Sequence, residues 1–354
     1  MRALETEELK EGMKIARTIF DDDGRVLLSC GTVLTGRYIK KLCEYGVPFI
    51  YIEDEFIGPI EVNDVVHDMV RIQTIKVLKK VAEAAKMKKE IDMKPLSNMV
   101  NTILDDLKGV PNMMVQLMDI RSKNMYLYNH SVAVCVLSII TGMALGLDEL
   151  KIKVLGMGAI LHDIGKTLSE GPEHTIHGFE ILRSNKMLNV IAAHVAYQHH
   201  ERYDGTGYPR QLSGEDIHLF AAITGVADRY DNMVSEQNTA LRLYSYQALE
   251  IIIAESGRSF HPEIVRAFSQ NIAPYPIGTT VRLNNRAVGV VISVPKNFPT
   301  RPVIKQITDI HGLPLKAFLV KNLLNEKTIF INEIIGEKER RELVKSVQRQ
   351  EVNG

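Results

Sequence analysis

Two short strings hold most of the residues in this chain that could do chemistry: His162-Asp163-Ile164-Gly165-Lys166, and His199-His200-Glu201-Arg202-Tyr203-Asp204-Gly205-Thr206-Gly207-Tyr208-Pro209. An imidazole beside a carboxylate offers the nitrogen and oxygen donors that suit a divalent transition metal such as iron or manganese. The plainer alternative for His162 and Asp163 is a buried histidine satisfied by a carbonyl and an aspartate near a helix end. Adjacent side chains on a helix point about 100° apart. His199 and His200 therefore ligate two ions, or divide between one ion and a substrate phosphate. Asp204-Gly205-Thr206-Gly207 requires a tight loop, where glycine permits positive φ and close approach to a ligand. His130, His174 and Asp228 extend the set. Each alone is more often a satisfied core group than a ligand. Together the residues supply five imidazoles and two carboxylates, too many for a joint accident.

Such groups need rigid carriers. Apolar Leu155, Ala159 and Ile160 put His162 and Asp163 at the end of a buried helix that stops at Gly165. His130 interrupts the apolar run Met125–Leu147, where an unpaired imidazole is costly. His174 lies on an amphipathic helix running through Phe179, Ile181 and Leu182, and Asp228 ends Ile223-Thr224-Gly225-Val226-Ala227, so that its carboxylate emerges from a buried turn. Upstream, Glu61–Asp92 has the periodicity of one long helix, with Val65, Met69, Ile72, Ile75 and Leu78 recurring. It packs on the core or forms a homodimer interface. Lys86–Lys89 reads as a solvated face, and Pro95 and Gly109-Val110-Pro111 as interruptions.

The flanks differ in texture. Strands in Met13–Phe20 and Val26–Leu34 around the turn Asp21-Asp22-Asp23-Gly24, a helix at Tyr38–Tyr45 and a strand at Phe49–Ile52 predict a small α+β unit, a sensory or docking domain or a structural cap. After Pro274 and Pro276, Thr280–Leu283, Ala287–Val294, Val303–Ile310 and Thr328–Ile331 alternate as strands do, and the end is a charged helix or tail. The expected fold is multidomain and mainly α. An N-terminal α+β domain spans 1–60, a helical linker 61–114, an all-helical domain 115–273, and a β-rich domain with a charged tail 274–354.

Composition excludes several classes. With 43 basic and 43 acidic side chains there is no global field toward a nucleic-acid polymer or an anionic membrane. Three cysteines without a close pair argue against a disulfide framework or a thiolate zinc site, and fit a reducing cytosol. Met125–Leu147 carries no formal charge and is long enough to cross a bilayer. Its Asn129, His130, Ser131, Ser138 and Thr141 make a buried core helix the better reading. The acidic start lacks the apolar stretch of a signal peptide, so the expectation is a cytoplasmic protein with no membrane span.

Over residues 115–272 the two strings resemble the HD-GYP branch of the HD phosphohydrolase superfamily. The resemblance implies an all-helical domain with a bi- or trinuclear metal centre, which cleaves cyclic di-GMP to the linear dinucleotide and then to GMP. On that pattern His130, His162, Asp163, His174, His199, His200 and Asp228 are metal ligands, with Asp163 bridging the ions. Lys166 meets a substrate phosphate, the plainer and less favoured alternative being a charge that complements a helix C-terminus. Gly207, Tyr208 and Pro209 form the loop that names the branch, and it positions substrate or meets a protein partner such as a diguanylate cyclase domain.

Three departures shape the expectation. Tyr126 stands where trinuclear members carry a glutamate; a phenol is a poor ligand near neutral pH, so two ions are expected. The segment Lys166–Glu173 is shorter than usual, which predicts a more open site. Gln237 and Ala240 replace an arginine and a lysine that hold phosphate, leaving Arg242 or Arg229 to substitute. The leading expectation is a phosphodiesterase for a cyclic dinucleotide, with two iron or manganese ions. A metal-bearing receptor or scaffold without turnover, and a hydrolase of another nucleotide, are the alternatives.

Overall fold

A computed structural model describes residues 1–21, 24–47, 49–54, 65–109, 125–235, 241–296, 298–343 and 345. Gln237 and Ala240 lie outside the described residues.

Strands Arg2–Glu5 (β1) and Phe49–Ile52 (β4) pair antiparallel, as do Ile19–Phe20 (β2) and Val26–Leu28 (β3). The ladder between β2 and β3 is thus shorter than the sequence suggests. Helix Gly36–Glu44 (α1) starts where the Thr35 hydroxyl accepts the Tyr38 N–H, and its Leu42 enters a small core with Leu4, Ile15, Ile19, Leu34 and Ile50.

The long apolar periodicity from residue 61 resolves differently from expectation. Asp68–Lys86 (α2) is followed by a separate helix, Lys94–Gly109 (α3). Pro95 falls in the first turn of α3, where its missing N–H costs nothing, so it opens a helix rather than interrupting one. Nor are these helices a linker. Ile75, Leu78 and Val81 of α2, with Leu96, Val100, Ile103 and Leu104 of α3, bury into the same core as the helices that follow. Those helices are Tyr126–Ala144 (α4), Glu149–Ile160 (α5), His174–Arg183 (α6), Val190–Gln198 (α7), Leu219–Val234 (α8), Ser245–Ala254 (α9) and Pro262–Ser269 (α10). Helix α4 is long and apolar enough to cross a membrane by composition, yet 72% of its apolar window is buried inside the protein. Val132–Ile139 is buried without a break, as expected of a central helix.

Beyond α10, Thr280–Leu283 (β5), Val288–Ser293 (β6), Val303–Thr308 (β7), Pro314–Asn322 (β8) and Ile331–Ile334 (β9) form an antiparallel sheet in the order β8-β7-β6-β5-β9. β8 was not legible in the sequence. It is an edge strand whose adjacent Leu319 and Val320 are both exposed, so it lacks the alternation of a half-buried strand. Residues 337–343 are helical. There the buried Arg340 pairs with Asp54, which ties the terminal segment to the amino-terminal unit, while Arg242 pairs with Glu5 at 2.5 Å and ties that unit to the helical core.

Candidate metal centre

The candidate ligands reach one point from five directions. His130 projects from the first turns of α4, and Asp228 from the middle of α8 rather than from a turn. Across the run Ile223–Ala227 that helix is buried all the way round. His162 and Asp163 lie past the end of α5, not on it. The helix closes at Ile160, the Leu161 N–H turns back to the Gly158 carbonyl at 3.2 Å, and a 3-10 turn follows at Ile164–Thr167. Gly165 does not stop the helix. Its bare Cα packs under α6, and a Cβ there would sit 1.9 Å from the His174 carbonyl oxygen and 2.6 Å from the Gly178 nitrogen. His174 is the first residue of α6. His199 caps the C-terminus of α7, so His199 and His200 leave the helix together. Their ring centroids are 4.1 Å apart.

At the centre is Asp163. Its Oδ1 lies 3.3 Å from His174 Nε2 and 3.7 Å from His199 Nε2. Its Oδ2 lies 3.3 Å from His162 Nε2, 3.7 Å from His130 Nε2 and 2.5 Å from Lys166 Nζ. Asp228 Oδ1 lies 3.0 Å from His130 Nε2 and 3.6 Å from His162 Nε2, and its Oδ2 lies 4.0 Å from His200 Nδ1. Among the described residues two groups emerge, Asp163 with His174, His199 and His200, and Asp163 with His130, His162 and Asp228. Within each, one donor atom per residue lies within 4.8 Å of all the others.

These residues fit divalent cations. His162 Nε2 and Asp163 Oδ1 are buried without a hydrogen-bond partner among the described residues, an arrangement costly for polar atoms and relieved by a cation. The tautomers suit ligation. His162 Nδ1–H donates to the Ala159 carbonyl at 2.7 Å, His199 Nδ1–H to the Ala196 carbonyl at 3.0 Å, and His174 Nδ1–H to the Gly171 carbonyl. Each leaves the Nε2 lone pair for a metal.

Charge balance points the same way. Burial opposes ionisation of Asp163, but the charge of His162 and the close approach of His174 and His199 hold its carboxyl well below the usual range. Burial likewise opposes ionisation of Asp228, and His130 and His162 hold it low. In return, against the cost of burial, Asp163 and Asp228 push the His162 pKa up to about 10, and Asp228 and Asp231 raise that of His130. Burial and the neighbouring His199 drive His200 down to about 2, and burial lowers His199 as well. Two buried carboxylates that draw protons onto their histidines are a site that favours positive charge.

The loop after His200 is built around its glycines. Gly205 turns with φ +79°, and a Cβ on Gly207 would lie 2.3 Å from the Arg202 nitrogen and 2.5 Å from the His200 oxygen. Tyr208, followed by the cis-linked Pro209, stacks on His200 with centroids 4.8 Å apart and planes 30° apart. Tyr126 lies parallel to the His130 ring at 6.0 Å.

Some assignments change. Arg242 turns to Glu5 and lies over the Phe49 ring, and Arg229 faces Glu255 at 3.6 Å. Neither contacts the cluster. Arg229 follows Asp228 on a helix and therefore points about 100° away from it. Two contributors were missed. The buried Asp231 accepts His130 Nδ1–H at 2.7 Å, and the buried Glu201 accepts the backbone N–H groups of Arg210 and Leu212 at 2.7 and 3.0 Å, anchoring the loop. The signal for Asp231 was its spacing, because residues i and i+3 share a helix face and Asp228 already lay on that face. A separate cavity of about 350 Å³ is walled by Glu201, Tyr203, His218, Phe260 and His261, and includes none of the seven candidate ligands.

The HD domain profile matches residues 167–264, which hold His174, His199, His200 and Asp228, and a profile described as the KOW domain associated with HD domain matches 280–343, the terminal sheet and helix. A cyclic di-GMP phosphodiesterase of Pseudomonas aeruginosa is 32% identical over 225 residues, 59% of this chain and 54% of the relative. A cyclic di-GMP phosphodiesterase of Thermotoga maritima is 35% identical over 164 residues, 41% of this chain and 45% of the relative. A 3'3'-cGAMP-specific phosphodiesterase of Vibrio cholerae is 32% identical over 138 residues, 34% of this chain and 26% of the relative. The chain spans about half the length of the first two. These matches go with a helical core that gathers the His162-Asp163 and His199-His200 pairs, and over that core the chain resembles HD domain proteins of the HD-GYP branch.

Proposed function

We propose that this protein is a metal-dependent phosphodiesterase that opens cyclic di-GMP, or a related cyclic dinucleotide, to the linear dinucleotide and then to GMP. The observation that carries this reading is the division of Asp163 between two ligand groups, Oδ1 toward His174 and His199 and Oδ2 toward His130 and His162. A carboxylate so placed is suited to hold two cations side by side. The matched relatives act on cyclic di-GMP and on 3'3'-cGAMP, which supports the substrate class.

In this reading His130, His162, Asp163 and Asp228 hold one divalent ion, and Asp163, His174, His199 and His200 a second, iron or manganese by donor type. When bound, such a pair supplies Lewis-acid activation of water and neutralises charge on the phosphoryl oxygens. The side chains do the remainder. Asp163 and Asp228 stay ionised in a buried setting, so their charge is fixed before substrate arrives. Lys166 reaches the same carboxylate edge from a partly exposed position, from which its ammonium can turn to a phosphate oxygen. Tyr208, held against His200 and shaped by Gly207 and Pro209, offers a ring to a base or ribose, and the same loop offers a surface to a cyclase domain.

The test is anaerobic purification with metal quantification, followed by chromatography of products from cyclic di-GMP and 3'3'-cGAMP. Two ions per chain and a linear product support the proposal, and the joint change His162→Ala with Asp163→Ala should remove both. A chain that folds but takes up no metal refutes it. A second reading, a receptor that binds without turnover, draws on Arg229 and Arg242 facing away from the cluster. Metal and bound dinucleotide without product would favour that reading.

A further inference from the structure

The two ligand groups are not built alike. Three of the histidines rest their Nδ1–H on neutral backbone carbonyls, those of Ala159, Gly171 and Ala196. His130 instead donates to a carboxylate, Asp231 Oδ2 at 2.7 Å, and Asp231 is fully buried. Asp231 is itself held, since the Ser235 hydroxyl one turn further along α8 donates to its other oxygen at 3.1 Å. Asp228, on the same face of α8, takes a hydrogen bond from the Asn232 amide at 2.8 Å on the oxygen that faces His130. The group of His130, His162, Asp163 and Asp228 thus has two carboxylate ligands, a third carboxylate directly behind a histidine, and complete burial. The group of Asp163, His174, His199 and His200 has one carboxylate, shared, and three imidazoles, and the side chain of His200 keeps 23% of its surface open.

An anionic partner on the far nitrogen fixes a histidine's tautomer and increases its donor strength more than a carbonyl does. Two nearby negative charges in a buried setting add attraction for a cation that water screens poorly. Both effects act on one group only.

Building on the metal centre proposed above, we infer that the two ion sites are unequal: the His130 group binds its ion the more tightly, the His200 group exchanges, and Asp231 is the positioning residue that sets the difference. Loading is therefore ordered, and a singly occupied protein holds its ion at His130, His162, Asp163 and Asp228.

The experiment is a calorimetric titration of Mn²⁺ into chelator-treated full-length protein, with circular dichroism confirming the fold of each variant. The wild-type chain should show two affinity classes. Asp231→Asn keeps the shape and one acceptor but removes the charge. It should weaken the tight class by about 10–100-fold and leave the weak class where it was, which general disorder would not do. His174→Ala should erase the weak class and spare the tight one, and it stands as an independent test should the Asp231 variant fold poorly. A single wild-type class, equal weakening of both classes by Asp231→Asn, or loss of the tight class on His174→Ala would overturn the inference while leaving a binuclear centre intact. A wild-type chain that binds no Mn²⁺ removes the centre itself, and this inference with it.

Discussion

Lys166 closes on Asp163 across a single turn, Nζ to Oδ2 at 2.5 Å, on the same carboxylate oxygen that His130 and His162 approach. One oxygen thus collects an ammonium and two imidazoles. Were a cation held between those imidazoles, Lys166 would lose its hold on that oxygen and could turn toward solvent and substrate.

Lys166→Ala should therefore leave two ions per chain while lowering kcat by about 10²–10³, the usual loss when one stabilising charge is removed from a reacting centre. Metal quantification beside single-turnover hydrolysis of cyclic di-GMP measures both. An unchanged rate would confine Lys166 to pairing with Asp163.

The shared carboxylate separates two substitutions that otherwise look alike. Asp163→Ala removes a ligand from both groups and should take metal content from two ions to none, whereas Asp228→Ala removes a ligand from one group and should leave one ion. Elemental analysis of the two proteins decides it, and equal metal content in both would contradict the sharing.

Stability should depend on pH in opposite senses with and without metal. In the metal-free chain the His162 pKa stands at about 10, above its unfolded value of roughly 6.5, so its contribution is full below that unfolded value and is lost as pH rises toward 10. Asp163 and Asp228 are held low, so their contribution is present above roughly pH 4 and is lost as pH falls further. Chelator-treated protein should thus melt lower at about pH 9 than at about pH 6. Protein in excess Mn²⁺ should reverse the order, because ligation displaces those protons. Melting curves in the two conditions are the measurement, and parallel trends would count against the cluster as the proton site.

Gly165→Ala tests the approach of the turn after α5 to α6. The added methyl meets backbone, 1.9 Å from the His174 oxygen, and cannot rotate away. A loss near the upper end of the usual overpacking cost, about 3 kcal/mol, is expected in denaturant unfolding, together with loss of one ion as His174 is displaced.

Glu201→Ala takes the acceptor from the partly exposed N–H groups of Arg210 and Leu212, at about 1 kcal/mol for each hydrogen bond lost. Both ions should remain, since Glu201 is no ligand, while KM for the dinucleotide rises as the Tyr208 loop loosens. Steady-state kinetics with metal analysis separates this from a defect in the centre.

Legibility in the sequence followed the local cost of each group. His130 stood out because an imidazole in an uncharged apolar helix needs a partner, and the structure supplies Asp228 and Asp231. Gly205 and Gly207 announced a tight loop, because only glycine fits there. The ends of α5 and α7 were misread, because a helix end next to a core is set by what packs against it. The apolar residues before His162 and His199 would have supported another turn equally well. Asp228 reads as a turn residue in the sequence because Ile223-Thr224-Gly225-Val226-Ala227 shows no helical period, being buried on every side. Asp231 was missed because its value depends on a histidine from another helix. Arg242 was one of two candidates to replace the phosphate-holding pair, with no spacing to support it, and the amino-terminal unit claims it through Glu5.

From the sequence alone came the kinds of donor, their membership of two strings, the central apolar helix and the β-rich carboxy-terminal part, since residue type and short-range pattern carry all of these. Tertiary structure decided which oxygen of Asp163 faces which imidazole, that α2 and α3 belong to the main core, and that Asp231 rather than a carbonyl backs His130. Those are relations between segments far apart along the chain. They are fixed by how helices pack and which buried charges must meet, and no local pattern encodes them.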